Sequence, residues 1–374
     1  MRIRYPIFLV ALALLLTEGA LRVFDPLGAS YLFEIHRYSR TVRSDPRFAY
    51  LNPPNMRDTF EGVEVSTNSE GLRGPEFASS KPPGVFRVVM LGDSVVFGWG
   101  VPYPQTFPAR LQEVWTRAGV DAEVISAGAC SWNTRTEYEF LKAKALAYQP
   151  DLLVLVIVDN DDEVKREGHT GIPRAALEVK SDRSGTRNAW EDARRFLLRH
   201  SHLAANVALV FEMLGGRERS RAEIERSPGW QDARLALDGI VELCRANGIE
   251  LVVYLFPSPR GPGSGVLPLY EARLGALGVP ASWLPAALVA SNGLYRNSIA
   301  DPHPNARGHA LIAAAIEADL RARIALRSDP HLLPGAGPEA PAERGGQGEN
   351  ERELRVPRPH DAASHRDREE VGEG

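Results

Sequence analysis

Ser94 stands in the run VVMLGDSVVFGWGV (88–101), where an apolar stretch ends on Gly92 and an acid and a hydroxyl follow at once. A serine just past a strand and at the start of a helix keeps its backbone N–H among the donors that have no intrahelical partner. It also sits in the positive field of the helix end. Such a hydroxyl suits nucleophilic attack that leaves a negative oxygen behind. Gly128 in SAGACSW offers a second backbone N–H, and Asn160 in VDNDD offers a side-chain amide. Three donors can then converge on one oxygen. A base is still needed, and DPHPNARGH supplies His303 just before the last helical pattern. His309 competes for that role from more than one turn further on, where it would face solvent or pack.

Each of these residues also has a plain structural reading. Ser94 could be an ordinary helix N-cap, Gly128 a turn glycine and Asn160 the cap of a loop. The acidic run Asp159, Asp161, Asp162 and Glu163 could tempt a metal reading, but successive carboxylates on a loop diverge and no convergent partners appear. No metal or other cofactor is called for. Trp99 and Trp132, each shortly after a polar block, suit a sugar-stacking surface or the core equally well. Cys130 and Cys244 are far apart and form no CxxC pair, which speaks against a zinc site or a disulfide framework. They read as small buried hydrophobes, with pairing in an oxidising compartment left open.

Positioning these groups requires a sheet. Residues 86–93, 122–128, 152–160 and 250–257 are β-branched, nearly continuous apolar runs, the pattern of parallel strands covered on both faces. Helical periodicity fills 106–119, 134–148, 230–248 and 306–324, with Gly119 and Gly248 placed as C-terminal caps. Strand and helix in alternation predict an open α/β sandwich. Ligands of such a sheet bind beyond the C-terminal ends of its strands, which is where Ser94, Gly128 and Asn160 fall.

The ends of the chain are distinct. Arg2 and Arg4 precede an unbroken apolar run from Ile7 to Leu16 that extends to about Phe24 if Glu18 and Arg22 pair or reach the interface. The run reads as an export signal. Because no Ala-x-Ala site appears around 17–21, an uncleaved anchor (1–24) is expected over a cleaved peptide, with the remainder exported. Residues 25–82 form an N-terminal extension and 83–326 the main domain. Within the latter, 164–229 is an insertion holding the helical pattern 189–214, which leaves from the site edge as a lid or rests its apolar half on the membrane or the first helix. From 327 to 374 the chain turns to Pro, Gly, Glu, Arg and sparse histidines (His360, His365) and is expected to be a solvated, disordered tail. A formal net charge of -4 argues against nucleic acid as partner.

Taken in order, Gly92-Asp93-Ser94, Gly128, Asn160-Asp161 and Asp301-Pro302-His303-Pro304-Asn305 resemble the four blocks of the GDSL/SGNH hydrolase family. The resemblance spans residues 86–315. It implies a flavodoxin-like three-layer α/β/α sandwich with a parallel sheet, and ester hydrolysis or acyl transfer. It implies Ser94 as nucleophile, His303 as base and Asp301 as its orienting acid. The oxyanion hole it implies comprises the N–H groups of Ser94 and Gly128 and the side chain of Asn160. Residues 63–77 resemble the leader of membrane-tethered bacterial members that act on envelope polysaccharides, so an acylated carbohydrate is the expected substrate. An acyltransferase sharing the acyl-serine, or a non-catalytic envelope-assembly or glycan-binding protein, are the alternatives. Two positions depart from the family pattern: Val158 replaces a glycine, and only Pro302 separates Asp301 from His303. The second leaves open whether Asp301 or another acceptor orients the ring.

Overall fold

The computed structural model describes residues 4–45, 47–163, 189–215, 219–258 and 265–328. The segment 164–188 of the expected insertion and the tail beyond residue 328, with His360 and His365, lie outside the described residues.

The centre is a five-stranded parallel sheet of β5 (Phe86–Gly92), β6 (Ala122–Gly128), β7 (Leu152–Ile157), β8 (Glu250–Leu255) and β9 (Ala281–Trp283), in the order β6-β5-β7-β8-β9. Side chains alternate between its faces, and both faces are buried, which is why the sequence runs are nearly continuous in apolar residues rather than alternating. Val89, Leu91, Ile125, Leu153, Leu155 and Val253 pack under α5 (Thr134–Ala143), α9 (Pro228–Ala246) and α10 (Leu267–Ala276). Val88, Met90, Val124, Val154, Val156 and Val252 pack under α4 (Phe107–Arg117) and α12 (Ala306–Ser328). The result is the expected three-layer α/β/α sandwich. Gly119 and Gly248 close α4 and α9 at φ +73° and +66°, the left-handed conformation a C-terminal cap requires. Strand β9 escaped the sequence reading because three residues, none of them fully buried, are too few to carry a periodic signal.

A third apolar cluster covers one end of the sandwich. Tyr31, Leu32, Ile35 and Tyr38 of α2 (Ser30–Ser39) join Phe60 and Val65 of the hairpin β3 (Arg57–Phe60) and β4 (Val63–Ser66). They pack on Phe97, Trp99 and Cys130. A smaller hairpin, β1 (Arg43–Asp45) and β2 (Ala49–Leu51), places Tyr50 so that its hydroxyl donates to Cys130 O at 2.6 Å. The extension is therefore packed onto the ends of β5 and β6 where the polar blocks emerge.

Helix α1 (Arg4–Phe24) includes a 20-residue stretch, Tyr5–Phe24, of mean hydropathy 2.1, long and apolar enough to cross a membrane and with none of its window buried. The helical pattern 189–214 is two helices, α6 (Ala189–His200) and α7 (His202–Gly215), broken at Ser201. Glu18 explains the break. Its carboxylate accepts from Ser201 Oγ and from the N–H groups of His202 and Leu203 at 2.8–2.9 Å, capping α7 from another helix. Arg22 bonds Glu18 and His200 O. The apolar half of the insertion thus meets the last turns of α1, and Ala205 and Leu209 join the α2 cluster.

Candidate active site

Ser94 opens α3 (Ser94–Phe97), a single turn at the exit of β5. The N-cap is Asp93 rather than Ser94: its Oδ1 accepts from Val95 N–H at 2.9 Å. Ser94 is thereby left at the first helical position with its hydroxyl uncommitted to capping. Because α3 is one turn long, the individual N–H groups of that turn matter more than a summed dipole. Arg73, 1% exposed, closes the other end by donating to Phe97 O, Gly98 O and Val101 O. Ser126 Oγ donates to Val96 O at 3.1 Å and ties the turn to β6.

His303 reaches Ser94 across the sheet edge, with Nε2 2.7 Å from Oγ. On its other side Nδ1 is hydrogen-bonded to Asp301 Oδ1. That oxygen also accepts from His303 N–H at 3.0 Å, so Asp301 folds back over the proline onto both nitrogens of the same residue. The short Asp-Pro-His spacing, which left the orienter open in the sequence, brings the two side chains into contact. A carboxylate on Nδ1 assigns the ring hydrogen to that nitrogen and leaves Nε2 to accept from Ser94. The second oxygen of Asp301 accepts from Asn297 Nδ2 at 2.9 Å. Asn297 fits there only because position 100 is glycine, at φ +77°; a Cβ would lie 2.1 Å from Asn297 Nδ2. The loop is closed by Asn297 N–H to His303 O (2.9 Å) and Ser298 N–H to Asp301 O (3.0 Å).

Asp301 is 1% exposed. Burial opposes its ionisation, but the His303 charge and hydrogen bonds from His303 and Asn297 outweigh it and hold the carboxyl below its usual range. For His303 burial again works against the charge, and Asp301, then Asp93, more than offset it and raise the imidazole above its ordinary value. The rings of Tyr31 and Trp99 flank it at 5.7 and 6.4 Å between centroids.

Gly128 ends β6 in register with Gly92. Its backbone lies so close to the Ser94 turn that a Cβ would meet Asp93 O and Phe97 N at 2.8 Å. Asn160 is half-buried on the loop after β7, at the same sheet edge as Ser94, and its side chain is not hydrogen-bonded to Ser94, His303 or Asp301. Val158, at the position of the family's glycine, is buried in the α4–α12 layer.

Several open readings resolve as packing. His309 is fully buried, stacks on Phe107, and its Nδ1 accepts from Phe107 N–H at 3.2 Å, so it faces neither solvent nor Ser94. Trp99 and Trp132 are each 1% exposed and belong to the core, not to a sugar platform. Asp162 forms a bidentate pair with Arg219, Asp161 accepts from Val158 N–H, and Asp159 accepts from Ser258 Oγ. Among the described residues no group of acidic, cysteine and histidine side chains converges as a metal site. Cys130 and Cys244 are buried, unpaired thiols. The sequence reading missed Arg73, whose partners are distant in sequence, and Asn297, four residues before Asp301, where no motif marks an asparagine.

Residues 90–311 match the model of the GDSL-like lipase/acylhydrolase family. Among solved structures, a two-domain esterase (CEX) active on acetylated mannans, co-crystallized with mannopentaose, is 13% identical. That match covers 69% of this chain and 52% of the esterase at a TM-score of 0.40, so this chain spans about half its length. TesA is 14% identical, with 63% of this chain and 98% of TesA covered at a TM-score of 0.40. The psychrotrophic esterase EstA from Pseudoalteromonas sp. is 12% identical, with 64% and 99% covered at a TM-score of 0.40. No curated protein matches.

Proposed function

The chain belongs to the GDSL-like lipase/acylhydrolase family; from that premise we propose that it is an ester hydrolase, a membrane-tethered serine esterase that faces the extracytoplasmic space and removes O-acyl, chiefly O-acetyl, groups from carbohydrate. The observation that carries the catalytic part is the unbroken hydrogen-bonded line from Ser94 through His303 to Asp301.

Asp301 retains the hydrogen on Nδ1, so Nε2 is free to take the Ser94 hydrogen as Oγ bonds to the acyl carbon. The carbonyl electron pair moves onto oxygen, which the N–H groups of Ser94 and Gly128 and the Asn160 amide receive. Collapse breaks the bond to the sugar oxygen, and Nε2 returns its hydrogen to that leaving group. Water then gives its hydrogen to Nε2 and attacks the acyl-serine. The second collapse expels Oγ, which takes the hydrogen back, and the carboxylic acid departs.

The exposed apolar α1 supports the tether. Leu27 O accepts from Ala300 N–H at 2.8 Å, three residues past the end of α1 and one before Asp301, which puts the catalytic loop beside the point where the helix emerges. The carbohydrate substrate is supported by the resemblance of residues 63–77, whose Arg73 reaches the nucleophile turn. The test is turnover of p-nitrophenyl acetate and of a panel of acetylated glycans by the full chain in detergent, following free acetate and acetylated acceptor separately. Ser94→Ala should lower turnover by several orders of magnitude. Activity within about tenfold of wild type would end the serine-esterase reading. Acetylated acceptor without free acetate would replace hydrolysis by transfer.

A further inference from the structure

Helix α7 is apolar on two opposite sides. Ala205 and Leu209 face inward and join the α2 cluster. On the reverse side Val207, Val210, Phe211 and Leu214 recur at the spacing of one helical face and are exposed, Phe211 by 70% and Leu214 by 80%. Helix α6 repeats the arrangement. Leu198 enters the same cluster, while Phe196 and Leu197 stay exposed, with exposed Arg194 and Arg199 on either side of them. A helix on the surface of a soluble domain turns its apolar stripe inward and polar residues outward. Here the outward stripe of α7 is apolar as well, which marks a surface that something covers.

Where α7 begins indicates what that cover is. Ser201 Oγ and the N–H groups of His202 and Leu203 donate to Glu18, and Arg22 donates to Glu18 and to His200 O, so the corner between α6 and α7 is fixed to the last two turns of α1. Along α1, Glu18 lies about 9 Å of helix rise before Phe24, the end of the 20-residue apolar stretch. In a helix that crosses about 30 Å of hydrocarbon, that level is where acyl chains give way to headgroups. A carboxylate there must be met by donors from the protein, and Glu18 is. The outward face of α7 therefore continues the surface of a helix whose own cover is lipid. With 14 residues α7 is about 21 Å long, too short to cross the hydrocarbon, so it lies in the boundary.

We propose that α6 and α7 form an interfacial membrane-binding element, whose outward apolar faces insert into the extracytoplasmic leaflet of the bilayer that α1 crosses. The proposal rests on the membrane tether of the reading above. Phe211 and Leu214 enter the upper acyl chains, and Arg194 and Arg199 extend to the phosphates, the division of labour of a helix that lies in the membrane plane. The contact bears on the site. Leu198, Ala205 and Leu209 share a cluster with Tyr31, whose ring lies 5.7 Å from that of His303. Seating α6 and α7 in the leaflet thus holds the catalytic end of the sandwich at the bilayer surface, so the domain does not swing freely on its tether.

The experiment places an environment-sensitive thiol-reactive fluorophore on the full chain at Phe211→Cys, Leu214→Cys, Leu12→Cys of α1 or Leu235→Cys of α9, all exposed positions. Cys130 and Cys244 are buried, and the wild-type chain measures their background labelling. Each chain is reconstituted into phosphatidylcholine nanodiscs, with and without lipids brominated near the carbonyl end of the acyl chains. Bromolipid should quench the labels at 211 and 214 at least about twofold and leave the label at 235 nearly unchanged. The label at 12 reports the tether. Quenching at 12 with none at 211 and 214 would overturn the interfacial element and leave the tether standing, whereas no quenching at 12 would sink the tether and the proposal together. A label at 211 that is blue-shifted but unquenched would give this face to a second copy of the chain, and equal quenching at 235 would show no oriented contact; either overturns the proposal. Turnover of p-nitrophenyl acetate at the wild-type rate confirms that a labelled chain is folded. Should Phe211→Cys fail that check, Leu214→Cys decides alone.

Discussion

Asp301→Asn is the sharpest perturbation, because the carboxylate is matched by donors on both oxygens. Oδ1 receives His303 N–H and Nδ1, and Oδ2 receives Asn297 Nδ2. An asparagine has one oxygen and one NH2 and cannot satisfy both sides. If its NH2 faces His303, Nδ1 must accept, the ring hydrogen moves to Nε2, and the nitrogen 2.7 Å from Ser94 Oγ can no longer act as base. If its NH2 faces Asn297, two donors oppose each other, and the imidazolium that forms during the reaction loses its buried anion. Either route removes a charge-assisted bond made by a carboxylate that is 1% exposed. The loss in kcat should be about 10³–10⁴, equivalent to roughly 4–5.5 kcal/mol. In steady-state assays with p-nitrophenyl acetate, the wild-type acid limb of kcat/KM should lie above the ordinary histidine value, because Asp301 raises His303. In the variant the limb should move down, since the cationic ring has lost its partner. A loss of tenfold or less with an unmoved limb would refute this reasoning and pass the orienting role to another acceptor.

Asn160→Ala should lower kcat by about 10²–10³ with KM little changed, as removal of one oxyanion donor does; a pure KM effect would make Asn160 a ground-state contact. Gly128→Ala forces a Cβ to within 2.8 Å of Asp93 O and Phe97 N, backbone atoms that cannot yield without moving Ser94. Thermal or denaturant unfolding should record a loss of about 1–3 kcal/mol together with reduced kcat, and full activity would contradict the close packing. His309 is buried neutral, its imidazole pushed down to about 3 by burial and then by the Arg73 charge. The unfolded chain binds a proton there that the folded chain refuses, so stability falls as pH drops from about 6.5 toward 3, by up to about 1.4 kcal/mol per unit. His309→Gln should flatten that slope in thermal unfolding, and coincident slopes would exclude His309 as an acid-sensitive group.

The layers of the sandwich were legible because burial on two faces leaves a mark in the sequence. The runs from Phe86, Ala122, Leu152 and Glu250 are nearly continuous in apolar residues on both faces, and the helices between them carry their own stripe and glycine caps. Ser94, Gly128 and Asn160 were legible because chain direction alone sends each to the C-terminal edge of a parallel strand. The limits of this reading were equally physical. Asp93 and Ser94 are both good capping residues, and only the backbone turn shows that Asp93 caps, with the serine hydroxyl lying between Asp93 Oδ2 at 3.1 Å and His303 Nε2 at 2.7 Å. Trp99 and Trp132 follow polar blocks, yet α2 and the hairpins of the extension bury them, a fact set by residues far back in the chain.

Sequence by itself determined the strand–helix alternation, the sheet edge at which Ser94, Gly128 and Asn160 emerge, and the apolar first helix. These depend on local pattern and on chain direction. Tertiary structure alone decided what surrounds the acid–base pair. Asp301 could be accepted as the partner of His303 only once the proline loop was seen to fold back on itself. Arg73 reaches the Ser94 turn from a distant segment by contacts that no spacing records. Hydrogen bonds and burial act over a few ångströms in space, whereas a sequence records only separation along the chain; which distant groups close a turn or cover a side chain is fixed when the extension docks.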